Sequence, residues 1–221
     1  MIHFCYKSVI LNIIWYNTHM YEIELKAHVR NRQKTIELIE GFATFCGTTQ
    51  KSDTYFHLFS TEEKKESEKH LTCRLRHESH TGPDGKQEER NLFTYKSKEL
   101  RTDSNGASYE VNEENETLLS DPGALKKFLF DCGFTEAYKK EKDVRVWTYK
   151  TDYGIANIEL CNVVPLGDFL EIEIICENCN NEDKINDELK KILVKSGIDL
   201  NDIEKKYYSE LLKEASGGKN V

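Results

Sequence analysis

Two segments of the chain alternate charged and apolar residues with a period of two, which is the pattern of a β-strand whose two faces differ. In residues 21–26 (YEIELK), two carboxylates and an ammonium group share one face, while Ile23 and Leu25 share the other. Residues 166–173 (LGDFLEIE) repeat this alternation near the C-terminal end. Such strands place their charged face either towards solvent or inside a closed barrel with a polar interior.

The same patterning predicts eight strands and four helices along the whole chain. The strands are predicted at residues 21–26, 53–59, 70–77, 90–98, 108–118, 144–149, 155–163 and 169–176. The helices are predicted from the cap residue Asn31 to residue 47, from Asp121-Pro122 to Gly133, and at residues 182–196 and 201–213. A strong turn signal, Gly82-Pro83-Asp84-Gly85, separates two of the strands.

The order of these elements predicts an α+β fold in which eight strands form a closed or nearly closed antiparallel barrel with the helices packed outside. The helices carry apolar stripes, and those stripes need an apolar surface to cover. The outer face of the barrel supplies that surface only if the charged residues face inward. A doubly wound α/β fold is disfavoured because the glycine-rich phosphate-loop motifs of that class are absent from the sequence.

The length of the chain is sufficient for a single domain. It has 221 residues, of which 38% are hydrophobic and 32% are charged. We expect residues 20–213 to form the domain, residues 1–19 to be an extension outside the core, and residues 214–221 to be a flexible tail. The apolar run at residues 8–16 is too short to cross a bilayer, and no cleavage site follows it, so no membrane association is predicted.

Charge and cysteine content narrow the function class. The net charge of −8 disfavours a nucleic-acid partner, because phosphate backbones select proteins with positive potential. Seven scattered cysteines do not resemble the framework of a secreted disulfide-rich domain, so we expect a cytoplasmic protein. Cys176 and Cys179 form a lone CxxC, which lacks the second pair that a structural zinc site needs.

The charged residues that share strand faces predict the chemistry of a barrel interior. They are Glu22, Glu24 and Lys26; Arg74 and Arg76; Lys96, with Thr94; Glu114 and Glu116; and Glu171 and Glu173. Carboxylates bind hard divalent cations, whereas lysine and arginine bind phosphate oxygens. Any one pair taken alone is more typical of a solvated strand face. Taken together, the pairs indicate a site for a metal-bridged polyphosphate.

Residues 22–26 match the ExExK signature of the CYTH superfamily, which contains class IV adenylyl cyclases, thiamine triphosphatases and inorganic tripolyphosphatases. The resemblance continues through residues 53–56, the paired-arginine strand 73–76, the lysine strand 93–96 and the late strand 166–173. Residues 208–212 resemble the C-terminal helix of the family. The chain is therefore similar to this superfamily over residues 20–213, and the resemblance implies the fold known as a triphosphate tunnel.

The resemblance also implies roles for individual residues. It implies metal ligands among Glu22, Glu24, Glu171 and Glu173, with Mg²⁺ or Mn²⁺ as the cofactor. It implies that Lys26, Arg74, Arg76 and Lys96 hold the triphosphate, with Lys142 and Arg145 supplying a further basic strand. It implies that the catalytic residues are Glu22, Glu24, Lys26 and Glu114.

The most important departure from the pattern of the family lies on the strand before residues 166–173. Cys161 stands where relatives carry an acidic metal ligand, and a thiol is a poor ligand for Mg²⁺. Either Glu159, on the same strand face, replaces the missing acid, or metal binding is weaker.

Three functions agree with these motifs. The resemblance favours a class IV-type adenylyl cyclase that converts ATP to cyclic AMP and pyrophosphate. A metal-dependent triphosphatase would use the same charged lumen, because both reactions rely on cations to stabilise phosphate charge. A non-catalytic polyphosphate-binding module is the third alternative. In each case the expected partner is a small-molecule triphosphate, ATP for the cyclase, and a homodimer is compatible with the sequence.

Overall fold

The computed structural model describes residues 21–58, 71–102, 108–176 and 181–217, without the side chains of residues 71, 96–102 and 108–114. The predicted extension at residues 1–19 and the last residues of the predicted tail, 218–221, lie outside the described part of the chain. Within the described ranges, no helix has both the length and the apolar character that a membrane span requires.

Eight strands form one sheet, which closes into a barrel. They are β1 (Tyr21–His28), β2 (Thr44–Leu58), β3 (Leu71–Thr81), β4 (Gln87–Thr102), β5 (Ser108–Leu119), β6 (Phe134–Thr151), β7 (Gly154–Val163) and β8 (Gly167–Cys176). Their order is β1-β5-β4-β3-β2-β6-β7-β8, and every neighbouring pair is antiparallel. Because β1 pairs with β8 as well as with β5, no strand of the described sheet is left at an edge. The predicted fold class is confirmed.

Of the four α-helices in the described chain, the first three begin within two residues of the positions that the sequence predicts. The four helices are α1 (Arg32–Glu40), α2 (Gly123–Asp131), α3 (Glu182–Lys195) and α4 (Tyr208–Ala215). The Lys34 backbone N–H donates to Asn31 Oδ1 at 3.1 Å, which is the expected N-terminal cap of α1. At the start of α2, the Gly123 backbone N–H donates to Asp121 Oδ1 at 2.8 Å, two residues before it.

Helix α1 is shorter than the sequence predicts. It ends at Glu40 instead of continuing to residue 47, and β2 already begins at Thr44. The reason is that residues 44–49 pair with β6, where Thr44 lies opposite Thr148 and Phe45 lies opposite Trp147. Phe42 and Ala43, which fit a helical stripe, pack instead against the outer core. Strand pairing therefore overrides the local helical periodicity.

The predicted helix at residues 201–213 is also corrected. A short 3₁₀ turn at Leu200–Asp202 and an extended segment precede α4. Ile203 forms an antiparallel bridge with Ala27, and the Glu204 N–H donates to the Lys26 carbonyl at 2.8 Å. The backbone of this segment is therefore used in pairing with the end of β1, which brings α4 to that end of the barrel.

The largest apolar core lies between the outer face of the barrel and helix α3. On the sheet it comprises Ile23, Leu25, Ile158, Leu160, Leu170, Ile172 and Ile174 from β1, β7 and β8. On α3 it comprises Ile185, Leu189, Ile192 and Leu193. The residues between them include Glu22 and Glu24 on β1, Glu159 on β7 and Glu171 and Glu173 on β8, so burial of the apolar face under α3 turns these carboxylates towards the interior of the barrel.

We predict that Leu189→Ala, which leaves a cavity in this core, lowers the free energy of unfolding by about 2–5 kcal/mol. Leu189 is fully buried, whereas Val194 on the same helix is 56% exposed. The matched control Val194→Ala should therefore change the free energy of unfolding by less than about 0.5 kcal/mol. Urea denaturation of both variants measures the difference. Equal effects of the two substitutions would show that α3 does not cover the barrel in this way.

Candidate functional site

The inner face of the barrel is lined by charged residues that are almost entirely shielded from solvent. The most buried members, each at most 9% exposed, are Glu22, Lys26, Lys51, Asp53, Arg76, Glu78, Lys140, Lys142 and Glu159. Charged groups are rarely buried unless they are paired, because leaving water is strongly unfavourable for an isolated ion. The contacts among these groups therefore define the site.

Carboxylates are concentrated on three neighbouring strands, β1, β8 and β7. Glu24 lies directly opposite Glu173 in the pairing of β1 with β8, and Glu159 lies opposite Glu171 in the pairing of β7 with β8. Asn157 links two of these acids, since its Nδ2 donates to Glu159 Oε1 at 3.2 Å and to Glu173 Oε1 at 3.1 Å. This side of the lumen is rich in carboxylate oxygens.

Two lysines from the next strands of the sheet, Lys142 on β6 and Lys51 on β2, contact these acids. Lys142 Nζ lies 2.5 and 2.7 Å from the two carboxylate oxygens of Glu171, and Lys51 Nζ lies 2.8 and 2.7 Å from those of Glu159. Burial by itself would raise the pKa of Glu171, but the ammonium group of Lys142 outweighs it and lowers the pKa to about 2. Burial would lower the pKa of Lys142, and Glu171 raises it instead. Both groups are therefore ionised.

A second cluster is centred on Asp53 of β2. Arg76 Nε donates to Asp53 Oδ1 at 2.6 Å and Arg76 Nη2 donates to Asp53 Oδ2 at 2.9 Å, which is a bidentate pair. Lys140 Nζ lies 3.3 Å from the same carboxylate. Burial opposes ionisation of Asp53, but Arg76 and Lys140 hold its pKa well below the ordinary value. The chain of ion pairs continues from Arg76 to Glu78 at 3.3 Å.

Tyr55 lies beside this cluster. Lys140 Nζ donates to the Tyr55 hydroxyl oxygen at 2.8 Å, and the Tyr138 ring stacks on the Tyr55 ring with centroids 4.3 Å apart. Burial would raise the pKa of Tyr55, but the charge of Lys140 lowers it to about 8. Tyr55 therefore presents a phenol that ionises more readily than usual to the basic side of the lumen.

The second arginine of the paired-arginine strand makes different contacts. Arg74 Nη2 donates to Thr94 Oγ1 at 2.9 Å and lies 3.5 Å from Glu116 Oε2. The Thr94 hydroxyl also donates to Glu116 at 2.8 Å. Arg74 is therefore oriented by β4 and β5, whereas Arg76 is oriented by β2.

Tyr208, the first residue of α4, reaches into this array of charges. Its hydroxyl donates to Glu171 Oε1. Its ring centroid lies 4.4 Å from Lys26 Nζ, 4.6 Å from Lys142 Nζ and 4.9 Å from Lys140 Nζ, so three ammonium groups surround one aromatic ring. Lys26 Nζ also donates to the carbonyl oxygen of Lys206 at 2.6 Å. The C-terminal segment therefore contacts both the acidic and the basic parts of the lumen.

Most of the residues that the sequence predicts for the site come together inside the barrel. They are Glu22, Glu24, Lys26, Arg74, Arg76, Lys142, Glu159, Glu171 and Glu173. Lys96 and Glu114 lie opposite each other in the pairing of β4 with β5, and their side chains are outside the described part of the structure.

The placement of Arg145 in the triphosphate site is corrected. Its guanidinium lies 4.9 Å from the ring centroid of Phe45 and 5.4 Å from that of Trp147, and Nη2 pairs with Glu40 of α1 at 3.2 Å. These neighbours belong to the outer face of the barrel. The physical reason is the period of two, because Arg145 is three residues from Lys142 and must point to the opposite face.

Sequence reasoning missed several residues of the lumen, namely Lys51, Asp53, Lys140, Asn157 and Tyr208. Lys140 and Asn157 could have been found by stepping two residues back along the strand from Lys142 and from Glu159. Lys51 and Asp53 also lie two apart, but the sequence gives no local sign of their partners. The position of Tyr208 depends on the bridge that brings α4 to the barrel.

The donor set fits a hard divalent cation on its acidic side. Carboxylate oxygens of Glu159 and Glu171 and the thiol of Cys161 all lie within 4.8 Å of one another. Oxygen ligands are those that Mg²⁺ and Mn²⁺ prefer. Burial and the charge of Glu171 raise the pKa of Cys161, so this position holds a neutral thiol, and the carboxylate of Glu159 lies close to it on the same strand.

Comparison with known proteins agrees with this geometry. The CYTH domain profile matches residues 20–208. A candidate adenylate cyclase of Methanocaldococcus jannaschii, MJ0240, is 28% identical over 195 residues, which are 87% of this chain and 98% of that protein.

Two solved structures share the fold. The PH1819 protein of Pyrococcus horikoshii OT3 superposes with a TM-score of 0.68 and 23% identity, covering 88% of this chain and 99% of that one. A candidate adenylate cyclase of Vibrio parahaemolyticus has a TM-score of 0.63 and 15% identity, covering 87% and 98%. The family match spans the barrel and all of the lumen residues described above, and this chain belongs to the CYTH domain family.

Proposed function

We propose that this protein is a metal-dependent adenylate cyclase, which converts ATP to cyclic AMP and pyrophosphate. The observation that carries the proposal is the closed barrel whose interior holds buried ammonium and guanidinium groups facing a set of buried carboxylates. A metal-chelated triphosphate has the complementary distribution of charge. The cyclase reaction, among those of the family, is supported by the name of the relative from M. jannaschii, which this chain matches over nearly its whole length.

In this proposal the basic and the acidic groups of the lumen have different tasks. Lys26, Arg74, Arg76 and Lys142 bind phosphate oxygens, together with Lys96 on β4. The carboxylates of Glu22, Glu24, Glu159, Glu171 and Glu173 hold a divalent cation, Mg²⁺ or Mn²⁺. The bound cation supplies charge neutralisation on the phosphate oxygens. Because the lumen is shielded from water, fixed charges act there in a medium of low dielectric, where their effect on the transition state is larger.

Cyclisation forms one bond and breaks another at the α-phosphorus of ATP. The ribose 3′-oxygen attacks that phosphorus, the bond to the bridging oxygen breaks, and pyrophosphate leaves. The proton of the 3′-hydroxyl passes to a carboxylate oxygen of the acidic side, for which we propose Glu22, Glu24 or Glu114 on β1 and β5. Lys26 lies beside them on β1 and stabilises the charge that develops on the phosphate oxygens.

Product analysis after incubation with ATP and Mn²⁺ tests this function directly. We expect cyclic AMP and pyrophosphate in equal amounts. ADP with inorganic phosphate would show a triphosphatase and contradict the cyclase assignment. Binding of ATP without any product would show a polyphosphate-binding module and contradict catalysis altogether.

We predict that Glu24→Gln and Lys26→Ala each lower kcat/KM by about 100-fold or more, because each removes a charge that contacts the metal-chelated substrate. Both variants should retain the circular dichroism spectrum of the native barrel.

The matched controls carry the same substitutions on the outer surface. Glu40→Gln and Lys127→Ala alter exposed ion pairs with Arg145 and Asp131, and both should keep native activity. Native rates in both of the lumen variants would reject the site.

The pH dependence of stability follows from the lowered pKa values of Glu171 and Asp53. A carboxyl group whose pKa is lower in the native than in the unfolded state contributes stability that is fully present above the unfolded-state pKa. That stability is lost as the pH falls through the native-state pKa. For Glu171 the window runs from its ordinary value of 4.5 down to about 2.

We therefore predict that the free energy of unfolding is lost steeply below pH 4.5, with Glu171 alone contributing on the order of 3 kcal/mol. Urea denaturation at several pH values from 7 to 2.5 measures it. Glu171→Gln should be less stable at pH 7, since it leaves Lys142 buried without its counter-ion, but its stability should depend less on pH. A wild-type protein equally stable at pH 6 and pH 2.5 would contradict the ionised state of the lumen.

A further inference from the structure

Lys51 and Glu159 form a buried ion pair, and the proposed function explains only one of its two members. Lys51 Nζ contacts both carboxylate oxygens of Glu159, at 2.8 and 2.7 Å, and the two side chains are only 5% and 9% exposed. Glu159 belongs to the proposed set of metal ligands, whereas Lys51 has no assigned role. The ammonium group of Lys51 therefore neutralises the carboxylate that is proposed to bind a cation.

The surroundings of the pair are charged on both sides. On the acidic side, Glu159 and Glu171 have carboxylate oxygens within 4.8 Å of each other. On the basic side, Lys51 lies directly opposite Lys142 in the pairing of β2 with β6. Two adjacent acids thus face two adjacent ammonium groups, with Lys142 held by Glu171 and Lys51 held by Glu159. The two acids stabilise the two neighbouring ammonium groups, and the ammonium groups stabilise the two acids.

We propose that Lys51 is a phosphate-binding residue of the tunnel, and that the Lys51–Glu159 pair exchanges partners when the substrate binds. Lys51 Nζ transfers from the Glu159 carboxylate to a phosphate oxygen, while the Glu159 carboxylate turns to the divalent cation carried by that phosphate. The proposal rests on the proposed function of the site as one for metal-chelated triphosphates. It adds that the site selects the chelate against the free anion and against the free cation.

The selectivity follows from the buried charge that the anion or the cation would leave poorly neutralised if it bound alone. An anion that binds alone and takes Lys51 leaves Glu159 beside Glu171 with less counter-charge, in a buried site. A cation that binds alone and takes Glu159 leaves Lys51 beside Lys142, again with less counter-charge and in a buried site. An unpaired buried charge is strongly unfavourable, so each component alone is opposed by the group it releases. When both bind, every group regains an opposite charge, and the two ligands favour each other's binding by the same factor.

Two charge-removing variants separate this exchange from a merely structural ion pair. We expect Glu159→Gln to bind tripolyphosphate in EDTA about tenfold more tightly than the wild type, because Lys51 is already released and one repelling carboxylate is gone. The same variant should bind Mn²⁺ alone more weakly. We expect the opposite for Lys51→Met, with weaker binding of metal-free tripolyphosphate and about tenfold tighter binding of Mn²⁺ alone.

Isothermal titration calorimetry measures the anion, and the electron paramagnetic resonance signal of free Mn²⁺ measures the metal. Neither titration involves turnover, so its outcome does not depend on whether the wild type makes cyclic AMP. Glu40→Gln, on the outer surface, is the matched control and should behave as the wild type does in both titrations. Circular dichroism establishes which variants are folded, and either folded variant decides the question alone.

Changes of opposite sign for the two ligands support the exchange, even if product analysis rejects the cyclase. A Glu159→Gln protein that binds metal-free tripolyphosphate no more tightly than the wild type overturns it. So does a Lys51→Met protein that binds Mn²⁺ no more tightly than the wild type. Either result would leave the pair as a fixed link between β2 and β7, even if the protein is an active cyclase.

Discussion

The structure depends on the mutual neutralisation of opposite charges that are buried inside a closed sheet. Each strand of the acidic side has one face that must be covered by α3 and another that is charged, so covering the first face forces the second into the lumen. There a carboxylate or an ammonium group persists only beside a partner. The pairs of Lys142 with Glu171 and of Arg76 with Asp53 meet this requirement, and they hold the side chains in the positions from which a ligand would be bound.

The same constraint links the stability of the barrel to its chemistry. An interior of paired charges is a weaker source of stability than an apolar interior of equal size, because desolvation offsets much of the attraction. The apolar core on the outside of β1, β7 and β8 supplies the stability that the lumen does not. The charged groups of the lumen therefore need not stabilise the fold and can serve to bind a ligand. A ligand with complementary charge can replace their internal partners without disturbing the outer core.

Much of this arrangement could be predicted from the sequence, because alternation along a strand is a local property. The period of two placed Glu22, Glu24 and Lys26 together, and it placed Ile23 and Leu25 under a helix. The same period also shows why Arg145 is not in the lumen, because it is three residues from Lys142 and therefore lies on the opposite face of the strand.

Contacts between distant strands could not be predicted in this way. The pair of Lys51 with Glu159 joins residues 108 positions apart, and only the register of the closed sheet brings them together. The entry of Tyr208 depends on the bridge between Ile203 and Ala27, which no periodicity indicates. Its ring lies against Lys140 and against Lys26 and Lys142, the two lysines of this group that we assign to phosphate binding, so in this proposal the C-terminal segment and the substrate share two cations.

A crystal structure with Mn²⁺ and an ATP analogue that carries a methylene group between the α- and β-phosphorus atoms tests the central claim most directly. The account predicts an anomalous Mn²⁺ peak among the carboxylates of β1, β7 and β8, with phosphate oxygens in contact with the lysines and arginines of the lumen. A ligand bound on the outer surface, with the internal ion pairs unchanged, would contradict it.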